Sequence, residues 1–196
     1  MMSTRLRPAF RTAAWAMAAC IALSAATASA DQDHPGLGPL FSELKTAPDQ
    51  ATADRITGEI WGLWRQVDNP DAANAMAQGT RAMASKRYRF AYQYFSEVID
   101  HSPDFAEGWN KRATVLFLAK AYDRSIQDIK EVLRLEPRHF GALSGLGLIF
   151  LRQGQFRPAT QAFRDALAIN PYLPRIREAL DQLEHRQRSI DEKNTI

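Results

Sequence analysis

The chain has 196 residues, of which 45% are hydrophobic and 24% are charged, which suits one globular domain or a short array of repeats. Three of its 25 basic residues and none of its 22 acidic residues lie in the first 30 positions, so residues 31–196 carry 22 of each. Since this segment has no net charge, it lacks the overall positive field of typical nucleic-acid-binding proteins, and no nucleic-acid partner is predicted.

The first 30 residues have the pattern of a secretory signal peptide. A start with three arginines precedes an apolar run, and the small residues Ala28 and Ala30 lie where a signal peptidase reads its site. We therefore expect cleavage after Ala30 and export to the periplasm. An uncleaved anchor, or lipidation at Cys20, is the alternative. Cys20 is the only cysteine, so no disulfide is expected in residues 31–196.

Residues 31–71 are predicted to form a helical hairpin. A short helix around Phe41 is followed by a break near Pro48, and a second helix carries apolar residues at helical spacing up to Trp61 and Trp64. The first interpretation is a hairpin that caps the repeat that follows it. The alternative makes Trp61 and Trp64 a docking surface for a partner, because aromatic residues are enriched at interfaces.

A period of 34 residues organises the next hundred positions. Apolar residues occur at helical spacing in two stretches per period, and a proline ends the second stretch, so each period is predicted to be a pair of helices. Small residues in two columns would let the paired helices approach closely. The columns are Pro103, Pro137 and Pro171; Tyr88, Tyr122 and Phe156; Phe95, Ile129 and Phe163; Gly79, Ala113 and Gly147; and Ala91, Ser125 and Ala159.

The segment 174–196 follows the last period. Ile176, Leu180 and Leu183 form one apolar stripe among polar residues, which predicts a helix from Pro174 to about Arg188. Because a stack of repeats exposes an apolar face at each end, this helix is expected to cap the third pair.

The repeated columns resemble the tetratricopeptide repeat (TPR), and the resemblance covers residues 72–171. It implies an all-α, right-handed α-solenoid of three TPR helix pairs at 72–105, 106–139 and 140–173, between the N-terminal hairpin and the C-terminal capping helix. In this family the first helices of the pairs line a concave groove that holds a peptide. The residues placed in that groove by the resemblance are Met76, Thr80, Met83, Asn110, Lys111, Thr114, Phe117, Ser144, Leu148 and Leu151.

The polar triplet from Asn110 to Arg112 interrupts an otherwise apolar helix. By the resemblance, Asn110 and Lys111 would be the main hydrogen-bonding groups of the groove, whereas Arg112 would bond a carboxylate such as Asp128 in a structural role. The alternative for Lys111 is a solvated i,i+4 pair with Glu107 and no ligand.

Chaperone adaptors of this family hold a C-terminal carboxylate with Lys and Asn at set groove positions. Met76, Thr80, Gly141 and Gly145 stand at those positions here, so that mode of binding is not predicted. What remains favours an apolar helix or extended segment as the ligand.

Enzyme chemistry is not predicted. The sequence contains no nucleophile, phosphate-loop or dinucleotide motif, and its histidines are isolated, so no cofactor, metal or small-molecule substrate is expected. The basic residues Lys86, Arg87 and Arg89 interleave with aromatics, but at helical spacing the aromatics belong to the core and the basic residues to a solvated face.

The sequence therefore predicts a non-enzymatic adaptor or scaffold that binds a protein or peptide partner. A role in cell-envelope assembly or integrity is an expectation by analogy with the fold alone. An accessory subunit of an envelope enzyme or secretion complex, and a membrane-tethered structural protein, remain alternatives.

Overall fold

The computed structural model of the chain describes residues 34–194, and the side chains of residues 34–189. The predicted signal segment, with Cys20, lies outside these residues. The described part consists of helices joined by short connections. The helices are α1 (Leu37–Lys45), α2 (Gln50–Trp64), α3 (Pro70–Ala84), α4 (Tyr88–His101), α5 (Ala106–Leu118), α6 (Tyr122–Leu135), α7 (Phe140–Arg152), α8 (Phe156–Ile169) and α9 (Pro174–Asn194).

Helices α3 to α8 form three pairs, α3–α4, α5–α6 and α7–α8, and each pair packs on the next. In every pair the first helix ends in a turn whose residue has a positive φ: Lys86 at 57°, Lys120 at 60° and Gly154 at 72°. The backbone N–H groups of these turns donate to carbonyls of the preceding helix, which satisfies its otherwise unpaired C-terminal end. The predicted all-α solenoid of three helix pairs is confirmed.

The core of each pair is built on the predicted columns. Phe95, Ile129 and Phe163 occupy equivalent buried positions in the three second helices. The small column allows close contact, because a Cβ atom added at Gly147 would lie 2.4 Å from the Phe163 ring. Such a distance is shorter than any real contact, so glycine is what lets α7 and α8 pack this closely.

Helix α9 covers the end of the stack, as predicted, and extends past Arg188 to Asn194. Leu180 and Leu183 pack into one buried cluster with Phe163 and Leu167 of α8. Helix α9 therefore buries the apolar face of the last helix pair, which would otherwise be exposed at the end of the solenoid.

The N-terminal hairpin exists, but the expectation that it caps the first repeat was wrong. Its buried core contains Phe140 of α7, and residues on the C-terminal side of α8, such as Tyr172, pack against it. Asn170 Nδ2 donates to Thr57 Oγ1 at 3.1 Å, and the Tyr172 hydroxyl donates to the Ala47 carbonyl. The hairpin therefore lies on the third repeat.

The first repeat tolerates the absence of this cap because its outer face is mostly polar. A surface depression there is lined mainly by polar and charged residues of α3 and α4. Those side chains include Asp71, Asn74, Gln78, Glu97 and His101. Within the described residues, no helix has both the length and the apolar character that crossing a bilayer requires.

Candidate functional site

The polar triplet of α5 divides into two parts with different roles. Arg112 makes a two-pronged bond to Asp128 of α6, from Nε and Nη2 at 2.8 Å each, and Nη1 donates to Ser96 Oγ at 3.2 Å. The bond to Asp128 raises the pKa of Arg112 despite its partial burial. Its guanidinium also lies 4.9 Å from the centre of the Trp109 ring. The predicted structural role of Arg112 is confirmed.

The other part of the triplet surrounds a buried carboxylate. Glu107 is only 1% exposed, and its Oε2 accepts a hydrogen bond from Asn110 Nδ2 at 2.7 Å. Lys111 Nζ lies 3.1 Å from the other oxygen, Oε1. Burial opposes ionisation of Glu107, but the hydrogen bond from His139, the charge of Lys111 and the hydrogen bond from Asn110 outweigh it and lower its pKa.

His139 completes this cluster from the connection before α7. Its Nε2 lies 3.4 Å from Glu107 Oε2, and its Nδ1 accepts the backbone N–H of Ala142 at 3.0 Å. Because Nδ1 is an acceptor, the proton of the neutral ring lies on Nε2 and faces Glu107. The indole of Trp64 stacks on the imidazole, with ring centroids 4.2 Å apart.

These contacts change what Asn110 and Lys111 offer to a ligand. The amide of Asn110 is almost fully buried and its Nδ2 donates to Glu107. Asn110 therefore lines the groove, but its N–H group already has a hydrogen-bond acceptor within the chain. The Glu107–Lys111 pair does form, but its carboxylate is buried and not solvated as the alternative expected. His139, before α7, contacts this carboxylate, and Trp64 of the hairpin stacks on the His139 ring.

An open cleft of about 290 Å³ lies between α5 and α7, on the side predicted to be the groove. Its wall is largely apolar, and Leu118 and Leu148 are 43% and 36% exposed there. Five predicted groove residues meet in this cleft. They are Asn110, Thr114, Phe117, Ser144 and Leu148.

The other predicted groove residues lie elsewhere. Met76, Thr80 and Lys111 line an open depression of about 670 Å³ together with the connection between α2 and α3. Met83 packs against the buried cluster of the first repeat, and Leu151 packs against the cluster under α9. The predicted groove residues are therefore divided between the α5–α7 cleft, the depression beside the α2–α3 connection and two partly buried positions.

The alternative that Trp61 and Trp64 dock a partner was wrong. Trp64 is 2% exposed, and the Trp61 ring lies so close to α7 that a Cβ at Gly141 would be 2.7 Å from it. Both indoles also contact the Phe140 ring, at centroid distances of 5.6 and 5.1 Å. The tryptophan pair binds the chain's own third repeat.

Two features of the site escaped the sequence analysis. Leu118 was not assigned to the groove, although it follows Thr114 by one helical turn on the same face. His139 was treated as an isolated histidine. Its equivalents in the other repeats are Phe105 and Leu173, and this apolar column was the available signal that position 139 is buried.

Comparison with known proteins identifies the repeats. A family model described as tetratricopeptide repeat matches residues 76–134 and 122–174. A TPR repeat-containing protein of Rhizobium etli is 38% identical over 135 residues, which cover 69% of this chain and 66% of that protein. Small glutamine-rich tetratricopeptide repeat-containing protein 2 of Saccharomyces cerevisiae is 31% identical over 98 residues, covering 50% of this chain and 28% of the yeast protein.

Solved structures share the fold at low sequence identity. The TPR domain of Arabidopsis OM64 aligns over 60% of this chain and 97% of its own, with a TM-score of 0.57 and 18% identity. The first TPR domain of Spaghetti (RPAP3), solved with the HSP90 peptide SRMEEVD, aligns over 62% of this chain and 96% of its own. Its TM-score is 0.59 and its identity 17%. The chain thus spans about two thirds of its Rhizobium relative and a smaller part of the yeast protein.

Proposed function

Because the chain belongs to the tetratricopeptide repeat family, we propose that it is a non-enzymatic adaptor that binds a protein or peptide partner in the α5–α7 cleft. The observation that carries the proposal is the open, largely apolar cleft between two first helices of the stack, with Leu118 and Leu148 exposed in it. Exposed leucines beside a concave surface are typical of a site that receives an apolar segment.

The chemistry of the cleft selects the kind of segment. Only Asn110, Thr114, Ser125 and Ser144 bring polar side chains to the wall, and each of them already makes a hydrogen bond within the chain. A charged ligand would lose its hydration there without gaining a counter-charge. We therefore infer a partner that inserts apolar side chains, as an amphipathic helix or an extended segment does.

A chaperone C-terminal peptide is a poor ligand for this chain. The RPAP3 domain was solved with such a peptide, which ends in acidic residues. Here Met76, Thr80, Gly141 and Gly145 bring no cation, and Trp61 covers Gly141. Of the two cations that line the depression with Met76 and Thr80, Arg65 comes from the α2–α3 connection and Lys111 is paired with Glu107. The proposed ligand is thus apolar, unlike the peptide bound to RPAP3.

The proposed location is the periplasm, with a role in cell-envelope assembly or integrity. Support comes from the signal-peptide pattern of residues 1–30 and from the analogy with the fold. Intact-mass analysis tests the first part. A mature protein that begins at Asp31 supports export, whereas a protein that keeps Cys20 with added lipid mass supports the membrane-tethered alternative.

The adaptor proposal is tested by photocrosslinking in living cells from a photoreactive residue at Leu148. A single dominant protein adduct is expected, because Leu148 lies in the proposed contact. The matched control places the same residue at Gln127, which is exposed on α6. Equal adducts from both positions, or none from Leu148, would contradict the proposal.

Loss of the adduct when Thr114 is replaced by Arg would assign it to the cleft. An adduct that co-purifies as an intact enzyme complex would favour the accessory-subunit alternative.

A further inference from the structure

The three turns within the helix pairs form one edge of the stack, and this edge is strongly basic. Residues 81–91, 115–125 and 149–159 hold eight basic residues and one acidic residue, Asp123. All eight basic side chains are exposed. We name this set the turn edge. It consists of Arg81, Lys86, Arg87, Arg89, Lys120, Arg124, Arg152 and Arg157.

The charges of the turn edge are not neutralised within the described part of the chain. Among residues 34–189 the salt bridges link other cations, such as Arg55, Arg134 and Arg164, to neighbouring carboxylates, and none involves the turn edge. Arg124 instead donates to the Tyr92 hydroxyl of the previous repeat at 2.7 Å, which shows that adjacent turns are close together. The edge therefore presents a row of unpaired positive charges.

Several of these residues stand where helix physics disfavours them. Arg87 and Arg89 lie at the start of α4, and Arg157 at the start of α8, although cations at a helix N-terminus oppose the helix dipole. Lys86 and Lys120 have positive φ angles, whereas the third turn has Gly154 at the same place. An L-residue with a side chain is strained in that conformation and glycine is not. Stability of the fold does not explain these five cations.

An aromatic residue lies among the cations. Phe90 is 50% exposed, more than any other large hydrophobic residue among those described, and the Arg87 guanidinium lies 5.7 Å from the centre of its ring. A surface that joins several cations to an exposed aromatic ring is the combination that binds the interface of an anionic bilayer. An acidic polypeptide would match the charges but leaves Phe90 without a role.

We propose that the turn edge binds a membrane surface that carries anionic lipid headgroups. The cations would contact lipid phosphates along the three turns, and the Phe90 ring would enter the boundary between headgroups and acyl chains. This contact is peripheral and needs no membrane-spanning helix. The balanced charge of residues 31–196 does not oppose it, because the attraction depends on charges within a Debye length of the surface.

The test uses protein purified from cells that express the complete sequence, mixed with phosphatidylcholine vesicles with or without phosphatidylglycerol. The variant K86G/K120G removes two cations of the turn edge and relieves the strain at both positive φ angles. The matched control R175Q/R177Q removes two exposed cations at the start of α9, on the opposite edge. Binding is measured by co-sedimentation and folding by the midpoint of thermal unfolding.

The expected result is binding to the phosphatidylglycerol vesicles that K86G/K120G weakens about 25-fold, at about fivefold per cation. The control should bind within about twofold of the unchanged protein. K86G/K120G should unfold at the same or a higher temperature, so its weaker binding could not be ascribed to misfolding. Equal binding by the two variants, or equal binding to the two kinds of vesicle, would overturn the proposal. So would binding to polyglutamate without binding to anionic vesicles.

Discussion

The indole of Trp64 stacks on the imidazole of His139, with their ring planes 7° from parallel. Trp64 Nε1 also lies 3.4 Å from Oε2 of the buried Glu136. These contacts join the end of α2 to the connection before α7, so the N-terminal hairpin becomes part of the third repeat. The same imidazole contacts the buried Glu107, because its Nε2 lies 3.4 Å from Glu107 Oε2.

Replacement of Trp64 by Ala should lower the free energy of unfolding by about 3–5 kcal/mol, because a large buried aromatic leaves a cavity between the hairpin and α7. W64F keeps an aromatic ring in this place and should cost less. Urea unfolding followed by circular dichroism measures both variants. Equal, small effects of W64A and W64F would show that the hairpin does not depend on this contact.

Glu107 should make the free energy of unfolding depend on pH in the acidic range. Its pKa in the folded protein is lower than the ordinary carboxyl value of about 4.3, so folding favours the ionised form. The resulting stabilisation is complete above the ordinary value and is lost as the pH falls through the lower pKa of the folded state.

E107Q should therefore reduce the free energy of unfolding by about 1–3 kcal/mol near neutral pH. The difference from the unchanged protein should narrow as the pH is lowered from about 7 to about 3. Urea unfolding at a series of pH values provides the measurement. A constant difference across that range would mean that ionised Glu107 adds nothing to stability.

The bond between Arg112 and Asp128 should appear as a coupling energy. R112M and D128N should each lower the free energy of unfolding, and the double variant should lose less than the sum, with a coupling of about 1–3 kcal/mol. R112K should not restore stability, because lysine cannot make the two-pronged bond. Additive effects of R112M and D128N would contradict a direct contact.

Close packing of α7 on α8 should make Gly147 sensitive to a single methyl group. G147A is expected to lower the free energy of unfolding by about 1–3 kcal/mol, since the Phe163 ring must move. The matched control is G62A in α2, where no neighbouring atom lies within 4 Å of an added Cβ. Alanine there should raise the free energy of unfolding by about 0.5–1 kcal/mol. Thermal unfolding of both variants gives the comparison, and a stabilising G147A would contradict the packing described here.

The parts of the structure that follow the 34-residue period could be predicted from the sequence. The sequence pattern of a helix pair occurs three times, and it predicts the pairs and their buried column of Phe95, Ile129 and Phe163. The apolar spacing after the last pair predicts the cap α9 in the same way. The Arg112–Asp128 bond could be predicted for the same reason. The repeat pattern aligns α5 with α6, and this alignment places the two side chains opposite each other.

The position of the hairpin could not be predicted in this way. Trp64 and His139 are far apart in the chain, and no repeated column relates α2 to α7. Apolar spacing showed that α2 buries one face, but it does not say against which repeat. The surroundings of several predicted groove residues could not be predicted either: Met83 and Leu151 pack against buried clusters, and the segment after α2 lines a depression with Met76 and Thr80.

The proposed ligand site requires the hairpin to lie on the third repeat and to leave the α5–α7 cleft open. Nuclear Overhauser contacts measured on the labelled protein test this directly. We expect contacts between the ring protons of Trp64 and His139, and between Trp61 and the α-protons of Gly141. Contacts from Trp64 to residues of α3 would place the hairpin on the first repeat and contradict the account.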